Sequence, residues 1–147
     1  LSTMRGFHST EKAMTDDRET AHRWEPVGDL PLAACQVWRL KSDNNFELTV
    51  EGDFGTSERT LKIDFQGVVA LAAHDDMLGL TKIRADTSIP LIGSGRQASY
   101  RWPILRVENS HWLRSTLGPT EDCTHFLLLS LESTVEVIAR EATPSWI

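Results

Sequence analysis

The sequence predicts a β-rich α+β fold: a mostly antiparallel, curled sheet of about six to eight strands, with one or two short helices, in a single domain. Three observations carry that expectation. Apolar residues alternate with polar ones at Phe46, Leu48 and Val50, and again at Leu61, Ile63 and Phe65. That period of two gives a strand one dry and one wet face. Turn-forming clusters, SDNN at 42–45 and GDFG at 52–55, separate the alternating stretches. Near the C-terminus, the nearly unbroken apolar run of 125–131 has the character of a central strand covered on both faces.

Taken in order, residues 1–23 form a polar arm with charges of both signs and no apolar stripe to dock a helix. Met4 and Met14 are both possible native starts. The domain proper is expected over 24–147, beginning at Trp24 with an extended stretch punctuated by Pro26 and Pro31. Residues 34–40 make a first strand, and the two alternating segments complete an antiparallel meander. Gly67 supplies a bend before 68–73, which is apolar on both faces and reads as a central strand, with a buried helix as the other option. The loop-like stretch 74–95 has weak periodicity and room for a short strand at 80–83.

A second β block starts near Ala98, and Pro103 within it calls for an edge or a bulge. Ser110 is placed to cap a short helix that runs to Leu117 and stops at Gly118-Pro119. Trp112 and Leu113 are its expected core contacts. After the central strand, 131–134 turns the chain, and in 134–139 Val135 and Val137 lie opposite Glu136. The tail ends on Trp146 and Ile147, large apolar residues that are expected to pack back on the domain.

With 15 basic and 21 acidic side chains the formal charge is −6. A nucleic-acid partner is not expected, because phosphate recognition needs a basic stripe, and Arg96, Arg101 and Arg106 are interrupted. The same balance disfavours anionic membranes, no apolar run is long enough to span a bilayer, and the expected location is cytoplasmic. Cys35 and Cys123 lack CxxC or CxxH companions and read as ordinary thiols.

Familiar chemistries fail on context. Gly93, Gly95 and Ala98 fit GxGxxA, but a strand follows where a phosphate-binding helix is required. His74-Asp75-Asp76 reads as a solvated turn, so no metal and no cofactor are expected. There is no GxSxG elbow. Cys123 and His125, two apart and near Glu121 and Asp122, are the alternative catalytic pair, with no primary catalytic residues assigned. The five tryptophans are mostly core anchors. Trp38 and Trp112, with Glu47, Glu51 and His111, are the candidate protein-binding residues.

The segment 102–113 (WPILRVENSHWL), with HFLL at 125–128 and VEVIA at 135–139, resembles small uncharacterised bacterial β-rich proteins. The resemblance covers roughly the last third of the chain and carries no catalytic residues. Proteins of this type include immunity proteins. The expectation is therefore a non-enzymatic cytosolic protein-binding domain, in its specific form an immunity-type inhibitor of a protein toxin, with a protein partner or self-association. The alternative is a small enzyme or small-molecule-binding domain using the Cys123/His125 region or the 74–95 loop.

Overall fold

The structure, a computed structural model, describes residues 18–42, 47–54, 59–75, 81–93 and 100–147. Its strands are β1 (Thr20–Arg23), β2 (Cys35–Ser42), β3 (Leu48–Phe54), β4 (Thr60–Gln66), β5 (Ala70–Asp75), β6 (Ile104–Glu108), β7 (Thr124–Leu129), β8 (Ser133–Ala139) and β9 (Glu141–Trp146). One helix, α1 (His111–Leu117), lies between β6 and β7. The β-rich, antiparallel α+β fold is as expected, but the strands divide into two sheets, ordered β1-β6-β7-β8-β5 and β2-β3-β4-β9.

The meander forms as the alternation dictates. β3 pairs with both β2 and β4, and Leu61, Ile63 and Phe65 are fully buried. Gly52, Asp53 and Phe54 belong to β3, so the turn expected at 52–55 comes later than the sequence suggested. Gly52 lies opposite Trp38, where its missing side chain leaves room for the indole. The tail does return: β9 pairs with β4 over Leu61↔Trp146 to Gln66↔Glu141.

Between the sheets, Val50, Phe54 and Phe65 meet Ile104, Phe126 and Val137 in one core. Phe65 and Phe126 meet edge to face with ring centroids 5.2 Å apart. The outer face of the five-stranded sheet carries a second apolar cluster, in which Leu105, Leu127 and Leu129 are covered by Trp102 and Ile92, with Ile83 and Ile89 packed against them. This double cover explains why β7 is apolar at nearly every position.

Several expectations are corrected. The run at 68–73 gives β5, which is an edge strand and not a central one. It reads as central because its alternate face lies against the covered side of the sheet, while Leu71 stays 46% exposed. Residues 81–83 form no strand. β6 starts only at Ile104, while residues 90–92 and 100–102 make a short bridge of their own. Residues 20–23, read as part of the arm, pair with β6 and extend the sheet. The remainder of the arm to residue 17, the SDNN turn core, residues 76–80 and the 94–98 part of the glycine motif lie outside the described residues.

Candidate functional site

Three chain segments converge beside α1. After β6, Asn109 takes a left-handed backbone (φ 54°), which short polar side chains tolerate, and turns the chain into the helix. Ser110 follows as N-cap, and its hydroxyl accepts the Leu113 N–H at 3.0 Å. The same hydroxyl lies 2.7 Å from His125 Nδ1 on β7. On a neutral imidazole whose proton is on Nε2, Nδ1 accepts from this hydroxyl. Nε2 then donates to Glu136 Oε1 on β8 at 3.0 Å. The Trp112 ring covers the imidazole at a centroid distance of 5.0 Å.

His125 and Glu136 are both fully buried. Unpaired, either would carry a large desolvation cost. Glu136 is satisfied on its second oxygen by the Lys82 N–H at 2.8 Å, with His74 Nε2 at 3.4 Å. Through these contacts the 74–95 stretch is tied to the outer face of the sheet. His74 Nδ1 is buried without a hydrogen-bond partner among the described residues.

A second carboxylate, Glu19, does similar work next door. It accepts from the Thr87 hydroxyl (2.6 Å), the Arg84 N–H (2.8 Å) and the His111 N–H (3.0 Å). Burial pushes its carboxyl up, and these three hydrogen bonds together hold it below the ordinary glutamate range.

Ser110 also lines an open cleft of about 1010 Å³, walled by residues that include Arg106, Leu113, Arg114, Pro119 and Cys123. A chain of hydroxyl, imidazole and carboxylate with this hydrogen-bond polarity can move the hydroxyl proton to the imidazole and hold the resulting cation. It also serves as a fully satisfied polar tie among β6, β7, β8 and the loop.

The residues singled out from the sequence are dispersed. Trp38 is 4% exposed and donates from Nε1 to the Leu129 carbonyl at 2.9 Å, a bridge between the sheets and not a surface anchor. Glu51 is 8% exposed and paired with Lys41 at 2.7 Å. Glu47 and His111 are exposed, and Trp112 is half-buried against His125. His125 is not assembled with Cys123, because both of its ring nitrogens are engaged by Ser110 and Glu136. Cys35 is buried, and burial pushes its thiol up to about 12. No group of three or more His, Cys, Asp or Glu able to hold a metal occurs among the described residues.

Sequence reasoning saw Ser110 only as a cap and Glu136 only as the residue opposite Val135 and Val137. The signal for the trio was a histidine and a glutamate standing inside apolar runs of two adjacent strands. On a doubly covered sheet such residues must find partners.

The other unusual surface is β5. Val69 and Leu71 are 44% and 46% exposed beside the edge that no described strand pairs with, and Ala73 is exposed with them. No described helix is long and apolar enough to cross a membrane. No protein-family model, no curated protein and no solved structure matches the chain.

Proposed function

We propose that the chain is a protein-binding domain that accepts a strand of a basic partner along the edge of β5 that no described strand pairs with. The observation that carries this reading is a contrast among the sheet edges. β1 is only four residues long and bears His22 and Arg23. β2 has a bulge between Cys35 and Val37 and carries Arg39 and Lys41. β9 contains Pro144, which cannot donate to a ladder. These are the devices that keep an edge from accepting another strand. β5 (ALAAHD) has no Lys, Arg or Pro, and Leu71 on it and Val69 just before it are exposed.

An incoming strand would gain main-chain hydrogen bonds from the edge and specificity from contacts to that apolar row. The charge of −6 favours a basic partner through electrostatic steering. Inhibition of a protein toxin, in the manner of an immunity protein, is the specific form that the resemblance of the C-terminal third supports.

The test compares the wild type with Leu71→Lys and with Leu117→Lys, a control at another exposed leucine on α1. A basic protein from the source organism should be retained by the wild type and by the control, and lost with Leu71→Lys. In the purified complex, amide exchange should slow across 70–75. Retention indifferent to Leu71, or no retained protein, would overturn the proposal. A homodimer dissociated by Leu71→Lys would instead seat a second copy on the edge and overturn the basic-partner form.

A further inference from the structure

We propose that Ser110 is a nucleophile for acyl transfer, with His125 as its base and Glu136 as the residue that positions His125, acting on short acyl esters in the adjoining cleft. The site reaches β8, the neighbour of β5, only through Glu136, and its reactive end at Ser110 is on the β6–α1 turn, so it does not rest on the binding reading. The juxtaposition has three parts. The hydroxyl lies 2.7 Å from His125 Nδ1, and Nε2 lies 3.0 Å from a buried carboxylate. Ser110, 4% exposed, lies in the wall of an open cleft, and the imidazole and carboxylate behind it are fully buried. Finally, Arg114 Nη2 donates to the Asn109 carbonyl at 3.4 Å, so a guanidinium of the cleft wall stands next to the Asn109–Ser110 peptide.

A capping serine needs no histidine: the Leu113 N–H alone satisfies the cap, and the His125–Glu136 pair adds nothing to it. The Leu113 contact occupies one lone pair of Oγ and leaves the second for attack. Val107, Leu113 and Pro119 give the cleft an apolar wall suited to an acyl chain.

The chemistry balances without a further reactant except water. Oγ forms a bond to the ester carbonyl carbon as its proton passes to His125 Nδ1, and Glu136 holds the imidazolium through Nε2–H. The tetrahedral intermediate collapses with breakage of the carbon–oxygen bond to the alcohol, which leaves with the proton from Nδ1. Water then adds to the acyl-serine, giving its proton to Nδ1. Collapse releases the carboxylic acid and returns the proton to Oγ.

The test treats the full chain with a fluorophosphonate probe and with p-nitrophenyl acetate. The expected result is one phosphonyl adduct per chain, mapped by peptide mass to Ser110. Ester turnover should fall at least 100-fold in Ser110→Asn, which keeps a capping side chain and lacks the nucleophile. Circular dichroism reports that this variant is folded. Because the adduct is read on the wild type, the answer survives a variant that does not fold. Absence of an adduct on folded wild type, an adduct at other residues, or turnover unchanged in folded Ser110→Asn would each overturn the assignment.

Discussion

Gly52→Ala tests the packing of Trp38, whose indole lies over Gly52 and bridges to the other sheet. A Cβ built on Gly52 lies 2.3 Å from Cζ3, 2.5 Å from Cε3 and 2.8 Å from Cη2 of Trp38. Ordinary apolar contact needs about 3.5–4.0 Å, so the indole must retreat by more than about 1 Å. It has little room to do so. Its Nε1 is tied to the Leu129 carbonyl at 2.9 Å, and its ring meets Phe54 edge-on at a centroid distance of 6.0 Å. Overpacking of this kind costs about 1–3 kcal/mol, and loss of the indole hydrogen bond adds about 1 kcal/mol. The expected loss is therefore about 2–4 kcal/mol, a large share of the roughly 5–15 kcal/mol that holds a domain together. With a urea dependence of about 1–3 kcal/mol per molar, the unfolding midpoint should fall by about 1–2 M. Urea titration followed by far-ultraviolet circular dichroism measures it. Gly28→Ala is the control, since an added Cβ there meets nothing within 4 Å. If Gly52→Ala unfolds within about 0.5 kcal/mol of wild type, the range of ordinary surface substitutions, the packing argument is refuted.

The two thiols should separate under native conditions: a thiol reagent modifies Cys123 promptly, whereas Cys35, buried and with its thiol pushed up to about 12, reacts only on unfolding. Equal rates at both positions, mapped by peptide mass, would contradict the burial of Cys35. Glu19→Gln should destabilise the native state by about 1–3 kcal/mol at neutral pH, because an amide cannot accept from all three donors that converge on the carboxylate. The Glu19 carboxyl is held low in the folded chain, so its contribution is present above the usual glutamate range and lost as pH falls through its folded value. The stability gap between wild type and variant should therefore narrow in acid; a gap that stays constant from neutral to acidic pH would show that the carboxylate charge is not what Glu19 supplies.

The strands were legible because a half-buried strand records its two faces directly, as at Leu61, Ile63 and Phe65. The helix was legible from its ends, with Ser110 capping the start and Gly118 (φ 75°) closing the finish. The partition into two sheets was not, because it depends on which edge each strand meets. β5 shows the difficulty: its apolar sequence fits a strand enclosed on both sides, yet among the described residues its only strand neighbour is β8. Local sequence specifies what a strand can bury, while topology decides how much of it is buried.

The Ser110–His125–Glu136 trio was illegible for a different reason. Each member has an adequate local reading: a helix cap, a histidine leading a strand, and a glutamate between two valines. What joins them is register. Leu127 faces Glu136 across the β7–β8 ladder, which sets His125 diagonally within reach of the carboxylate. The β6–α1 turn then delivers Ser110 from a third element. Removing only one member of a buried charge pair is strongly destabilising, yet replacing the whole pair with well-packed apolar residues is often neutral or better. Stability alone therefore gives weak grounds for a histidine and a glutamate at fully buried positions on central strands. The packing of Leu127 and Ile138 beside them shows that this face accommodates aliphatic side chains. The trio's distinguishing feature is therefore that it joins three elements and ends in a hydroxyl at the wall of a cleft, which is what the acyl-transfer proposal for Ser110 tests.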